Sequence, residues 1–154
     1  MTNPQPTVRR ASVADAEIFT AITHAAFSKW IPLIGRPPQP MSVNYANELG
    51  AHQGWLLLDP AGQPVGALLL MTRPDHLLIY SIAVLPEHQG RGYGRRLLAL
   101  AEHEAQRQGH DLIRLYTNER FVENIDLYQR VGYHITCTEH ILNSVAVHMA
   151  KALH

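Results

Sequence analysis

Six residues, Gln89-Gly90-Arg91-Gly92-Tyr93-Gly94, lie between the apolar run "SIAVLP" and a leucine-rich stretch that opens with Arg95 and Arg96. If a strand ends here and a helix begins, successive unpaired backbone N–H groups converge with the positive end of the helix dipole. Glycines at 90, 92 and 94 remove side chains that would hold an anionic group away. Arg91, Arg95 and Arg96 supply charge-assisted donors for phosphate oxygens. The chemistry expected is anion binding. Two phosphate motifs nevertheless fail: a dinucleotide fingerprint opening at Gly90 needs glycine where Arg95 stands, and no G-K-[ST] follows as a P-loop requires.

The elements that must position this turn can be read along the chain. Residues 1–6 carry Pro4 and Pro6 and little to bury, so a flexible tail is expected there, with one domain over 7–154. A short strand is expected at Thr7–Arg10. A first helix follows in "SVADAEIFTAITHAAF", capped by its serine, with Ala14, Ile18, Ile22 and Ala25 at helical spacing. The segment "SKWIPLIGRPPQPM" holds four prolines and a glycine, which excludes a long helix or a central strand, and long irregular loops of this kind are often functional. A second helix is expected over Ser42–Leu49, two strands in "GWLLLDPAGQPVGALLLMT", and a fourth strand over Leu77–Leu85. The third helix runs from Gly92 to Gln108 with Leu97, Leu98, Ala101 and Ala105 on one face, closed by Gly109. Then come the strand "LIRLYTN", the helix "VENIDLYQRV" and two closing strands, "YHITCTEHI" and "SVAVHMAKAL". The order is strand, two helices, three strands, helix, strand, helix, two strands. It predicts a layered α/β (α+β) fold with helices covering a central sheet.

Composition bounds the function. Of 154 residues, 46% are apolar and 17% charged, enough for a core and unlike a disordered chain. Thirteen basic residues balance thirteen acidic ones, so the excess positive charge that drives nucleic-acid binding is missing and no nucleic-acid partner is expected. No apolar run reaches the ~20 residues of a membrane span, and "MTNPQPTVRR" lacks a signal-peptide core, so no membrane partner and a cytoplasmic location are expected. The one cysteine, Cys137, reads as a small buried residue in a late strand. Ten histidines show no compact ligand spacing, so no metal is expected.

The spacing that does fit the turn is Q-x-x-G-x-G, Gln89 to Gly94, preceded by "SIAVLPEH". It resembles the pyrophosphate-binding motif of the GNAT superfamily of N-acetyltransferases. Downstream, "NIDLYQRVGY", Asn124 to Tyr133, resembles the second signature of that family, and the strand "IRLYTN" lies between the two. The resemblance covers Leu77 to Tyr133; the flanking elements agree in topology only. It implies a mixed, mostly antiparallel seven-stranded sheet flanked by four helices, with acetyl-CoA as cosubstrate. It further implies that the fourth and fifth strands splay, that the pantetheine arm pairs with main chain at Ile82 and Val84 with Ala83 between them also a cofactor-binding residue, and that the phosphates rest on the amides from Gly90 to Arg95, Gln89 opening the motif. Independently, "IYSIAVLP" reads as a strand that stops at Pro86, leaving polar backbone groups free to pair with a ligand.

Acetyl transfer from a thioester needs a neutral amine, a donor for the developing oxyanion and a proton for the departing thiolate. By resemblance, the Ile82 N–H matches the oxyanion donor. Asn124 and Tyr128 stand at i and i+4, on one helix face, which the family pattern turns toward the sulfur; Tyr128 is the expected acid and Asn124 a cofactor contact. With ordinary pKa values of about 10 for tyrosine and 8.5 for a thiol, that proton transfer is uphill by only ~2 kcal/mol. A core role for Tyr128 is the competing reading. No base stands out: alternation puts Leu78 and Tyr80 on the face of Ile82, with His76 at the strand's mouth, and Tyr80, Tyr116 and Glu119 are the other candidates. An amine that arrives neutral needs none. Trp30, Met41 and Tyr45 are candidate walls of an acceptor pocket, with Arg36 or Arg73 to grip a carboxylate or phosphate; Trp30 pinning the loop to the core is the alternative.

The activity expected is direct transfer of acetyl from acetyl-CoA to a primary amine of a small molecule or peptide within a ternary complex. A non-catalytic acyl-CoA sensor is the alternative, and a toxin-like acetylase of aminoacyl-tRNA matches the neutral charge poorly. A homodimer is also expected, because edge strands in the carboxy-terminal hairpin need covering.

Overall fold

The computed structural model describes residues 5–141 and 143–153. Its strands are β1 (Thr7–Ala11), β2 (Gln53–Leu58), β3 (Pro64–Thr72), β4 (Leu77–Val84), β5 (Leu112–Asn118), β6 (His134–Ile141) and β7 (Ser144–Ala152). Its helices are α1 (Ala16–Phe27), α2 (Ile31–Ile34), α3 (Tyr45–Ala51), α4 (Tyr93–Arg107) and α5 (Val122–Arg130). The strands form one sheet in the order β1-β2-β3-β4-β5-β7-β6, and only β4 and β5 pair in parallel. This is the layered α/β fold expected, with four longer helices and the single-turn α2 inside the proline-rich connection. Of the expected tail, residues 1–4 lie outside the described residues; Gln5 accepts a hydrogen bond from Arg96 Nη2 at 2.7 Å. No described helix is long and apolar enough to cross a membrane.

Each face of the sheet buries its own core. Leu97, Leu98, Ala101 and Ala105 of α4 and Tyr128 of α5 pack on one side against Leu68, Leu77 and Ile113. Phe19, Ile22 and Ala26 of α1 and Tyr45 and Leu49 of α3 pack on the other against Leu56, Leu69 and Leu78. A fully buried leucine stabilises by about 1.5–3 kcal/mol, so these two faces dominate the helix placement.

The α1 register differs from expectation. Ser12 starts a short 3-10 turn, Val13–Asp15, before α1 begins at Ala16, and the buried residues are Phe19, Ile22, Thr23 and Ala26, while Ile18 is exposed. Burying the Phe19 ring removes far more apolar area from water than burying Ala14 would, and that selects the face. Cys137 is also corrected: it is exposed, because β6 is the sheet's outer strand and every residue along it is open to solvent.

The middle of the sheet holds an irregularity that shapes everything nearby. Leu69 of β3 faces Ser81 and Leu70 faces Ile79, so Tyr80 is an extra residue on β4, a β-bulge. The bulge switches the alternation. Leu77, Ile79, Ile82 and Val84 belong with the α4 core, and Leu78, Tyr80 and Ala83 with the α1 core. Sequence alternation, which put Leu78 and Tyr80 beside Ile82, fails for that reason.

Arg9 of β1 and Asp15 join the start of α1 to the sheet, with Nη2 to Oδ1 at 2.9 Å and the Ser12 N–H donating to Oδ2 at 2.9 Å. The Arg9 hydrogen bond, followed by that of the Ser12 backbone, lowers the Asp15 carboxyl from 3.8 to about 2. A depressed carboxyl stabilises the fold above its ordinary pKa, and the contribution fades as pH falls from about 4 toward 2. Asp15→Asn is expected to cost about 0.5–1 kcal/mol at pH 7 in urea denaturation, the size of a surface pair, with the difference from wild type gone near pH 2.

Candidate active site

Strands β4 and β5 pair at only three positions, Leu77 with Ile113, Leu78 with Arg114 and Ile79 with Leu115. Beyond them β4 stays on β3 through Val84, and β5 stays on β7 through Asn118. The two strands therefore part just where the bulge at Tyr80 adds twist. From Tyr80 to Val84 the β5-facing edge of β4 has no strand beside it, which leaves room for a ligand to pair with main chain there, although the Val84 carbonyl is already taken by Gln89 Nε2.

Two hollows open at this parting. One, of about 370 Å³, runs from Ile82, Ala83 and Val84 to the glycine turn; the other, of about 180 Å³, lies between β4, β5 and the proline-rich connection. Phe27, Ile82, Asn124 and Tyr128 line both, so the hollows meet at that wall.

The glycine turn forms the far end of the first hollow. Gly90 and Gly92 have φ of 81° and 82°, and a Cβ at either would meet open space. Their glycines are thus required by left-handed backbone and not, as the sequence suggested, by clearance alone. Gly92 precedes α4 and offers no side-chain cap, which leaves the first-turn N–H groups at Tyr93, Gly94 and Arg95 with their donors pointing outward. Arg95 lines the hollow; Arg91 sits 3.4 Å from His88 Nδ1, and Arg96 is engaged with Gln5. Gln89 braces the turn: its Nε2 donates to the Val84 carbonyl at 3.0 Å and its Oε1 accepts from Lys29 at 3.3 Å. Lys29 also lies 3.7 Å from Glu123 and 4.8 Å from the Trp30 ring. Sequence reasoning missed Lys29 and Glu123, which no local motif marks.

Helix α5 carries Asn124 and Tyr128 to the shared wall. Its end is fixed by Gly132, with φ of 104°, by the Tyr133 N–H donating to the Tyr128 carbonyl at 2.9 Å, and by Lys151 Nζ donating to the Val131 carbonyl at 2.8 Å. The Tyr133 ring packs edge-on at 6.2 Å from Tyr128. Tyr128 is 6% exposed, and burial pushes its hydroxyl pKa far above the ordinary value, so it stays protonated through neutral pH.

The second hollow is roofed by the proline-rich connection. Arg120 Nη1 donates to the Leu33 carbonyl at 3.0 Å, and Arg36 Nη2 donates to Ser144 Oγ at 2.5 Å, tying that connection to the β5–α5 loop and to β7. Arg36 and Tyr80 line this hollow together with Tyr116. Burial raises the Tyr80 and Tyr116 pKa values, Tyr116 adding to the rise at Tyr80 and Arg73 opposing it at Tyr116. Trp30 and Tyr45 do not line it. Trp30 stacks on Phe121 at 4.4 Å and borders the glycine-side hollow. Tyr45 is 1% exposed, its hydroxyl donating to the Pro40 carbonyl at 2.7 Å, so it supports the roof from behind. Neither His76, held by Asp75 at 2.6 Å, nor Glu119 is among the lining residues.

Residues 19–133 match the model of the Acetyltransferase (GNAT) family. The chain is 30% identical over 108 residues to the uncharacterized N-acetyltransferase YvbK of Bacillus subtilis, covering 70% of this chain and 68% of that one. The ribosomal-protein-S18-alanine N-acetyltransferase from Escherichia coli superposes with a TM-score of 0.80 at 19% identity, covering 97% and 94% of the two chains. The PaiA N-acetyltransferase from Thermoplasma acidophilum, solved in complex with coenzyme A, gives 0.79 at 15% identity over 96% and 99%. At these identities the two structures are similar in fold.

Gly92→Ala is expected to lower stability by about 1–2 kcal/mol, the cost of holding an L-residue in left-handed backbone, measured by urea denaturation. An unchanged midpoint would show that the turn relaxes without it.

Proposed function

The chain belongs to the GNAT family of acetyltransferases, and from that premise we propose that it moves the acetyl group of acetyl-CoA directly onto a primary amine of a small molecule or peptide. The observation that carries the reading is the meeting of two hollows at Ile82, Asn124 and Tyr128. A donor in one and an acceptor in the other can touch only at that wall.

The residues fit the cosubstrate. A diphosphate suits the outward amides from Gly90 to Arg95 and the arginine beside them. An extended pantetheine arm suits the open edge of β4 at Ile82, Ala83 and Val84, where it takes the place of a missing strand. The relative solved with coenzyme A supports this choice of ligand.

In the transfer, the amine nitrogen forms a bond to the acetyl carbon, the carbon–sulfur bond breaks, and the amine loses a proton to solvent, from which Tyr128 is reprotonated after turnover. The Ile82 N–H is the donor for the carbonyl oxygen as it gains charge. Tyr128 supplies the proton to the departing sulfur. Its raised pKa makes it a weaker acid than an exposed phenol, but a thiolate left at the same buried wall is destabilised by the same desolvation. The gap between the two acids is therefore narrower than the tyrosine value alone implies. Asn124, one turn earlier on the same face, holds the cofactor arm.

A non-catalytic acyl-CoA sensor is the second reading, favoured by the lack of a carboxylate or imidazole among the described lining residues of the smaller hollow. Saturable CoA release with any amine ends it.

Tyr128→Phe is expected to lower kcat at least 100-fold, within the range for losing a general acid, with little change in the affinity for acetyl-CoA. Following thiol release and calorimetric binding in parallel checks both halves. With no protein base at the acceptor, log kcat/KM is expected to climb with pH up to the acceptor's own pKa, about 8 for an α-amine. A break near pH 6–7 that stays put when the acceptor is changed would reveal a protein base instead.

A further inference from the structure

The smaller hollow has a charge of one sign. Among its described lining residues, Arg36 alone carries a formal charge. The guanidinium is half-buried, and its hydrogen bond is to a neutral hydroxyl, that of Ser144. Of the five N–H donors of an arginine, that contact uses one. Two further bonds fix where the side chain starts: the Gly35 N–H closes α2 on the Ile31 carbonyl at 2.8 Å, and Arg120 holds the Leu33 carbonyl. The loop that presents Arg36 is thus tied down, while among the described residues most of the Arg36 donor fork has no partner.

Such a fork matches the two oxygens of a carboxylate, which accept parallel N–H bonds from it. A second cation brought to the same hollow would meet the guanidinium with no acidic side chain among the described lining residues to offset it, Glu48 acting on Tyr80 only from outside that lining. The rest of the wall near the shared junction is uncharged, with Ile79, Leu115 and Val145 beside Tyr80 and Tyr116 and with Ser81 and Asn124 as neutral polar members. The volume of about 180 Å³ is small beside the ~300–1,000 Å³ of pockets for drug-sized ligands.

We propose that the acceptor is a small amine bearing a carboxylate on the same molecule, that Arg36 grips the carboxylate while the amine reaches the wall at Ile82 and Tyr128, and that polyamines and other polycationic amines are excluded. This inference rests on the transferase reading above and narrows it to an amino-acid-like substrate. Arg36 is a specificity-determining residue in this scheme and takes no part in bond making.

The test starts with calorimetric titration of acetyl-CoA into wild-type protein, then measures CoA release with matched pairs, glycine against glycinamide and β-alanine against β-alaninamide, and with spermidine. Rates are expressed per neutral amine. The acids are expected to exceed their amides at least tenfold in kcat/KM, and spermidine to give the lowest value. Arg36→Gln is expected to erase that tenfold preference through KM, and Arg36→Lys, which keeps the charge without the fork, to retain part of it. Thermal melting of both variants verifies that they fold, and binding of N-acetylglycine against N-acetylglycinamide gives a readout independent of turnover. Amides or spermidine preferred by the wild type, or an Arg36→Gln effect equal for acids and amides, would overturn the inference while leaving the transferase reading intact. A wild-type protein that binds no acetyl-CoA, or binds it and acetylates nothing, would overturn the transferase reading and the inference together.

Discussion

A single surplus residue in one strand governs the centre of this molecule. Tyr80 has no counterpart on β3, and accommodating it costs a break in the ladder and a local rise in twist. After Ile79 the parallel pairing with β5 ends, although both strands continue. An interior sheet edge left bare would be an expensive defect if nothing used it, because main-chain donors and acceptors removed from water need partners. The gap is where the proposed pantetheine arm would lie, and the two hollows open from it.

The surroundings keep that gap from collapsing. The α4 and α1 cores clamp β4 from opposite faces, so the strand cannot rotate to rejoin its neighbour without unpacking leucines on both sides. Helix α5 is stopped by Gly132 and Lys151, which sets the height at which Tyr128 stands. Gln89 links the strand's last carbonyl to Lys29, so the turn, the strand end and the region after α1 are mutually braced. These restraints are short and mostly polar. They specify position more than they add stability.

Much of this architecture was legible in the residues. Strong periodicities gave the seven strands and the face of α4, because repeated apolar spacing reports burial directly. The strand-to-helix turn at Gln89–Gly94 and the shared helix face of Asn124 and Tyr128 were legible because local spacing constrains local backbone, whereas the direction of that face was implied only by the resemblance. What failed was non-local or sub-periodic. The bulge inverts side-chain parity for half of β4, and nothing in "LLIYSIAV" announces it. Trp30 and Tyr45 have the composition of pocket walls, yet they are drawn instead into a stack on Phe121 and a hydrogen bond to Pro40. The contact of Lys29 with Gln89 spans sixty positions of sequence, and only the folded chain brings them together.

The outer strand β6 contributes one thiol, Cys137, exposed and the sole cysteine of the chain. Colorimetric reagents that count liberated sulfhydryls will register it as one equivalent of background per protein molecule. The same circumstance makes the chain a ready recipient for a maleimide dye or spin label at a defined position on the outermost strand, with β7 between it and β5, attached without any engineered substitution.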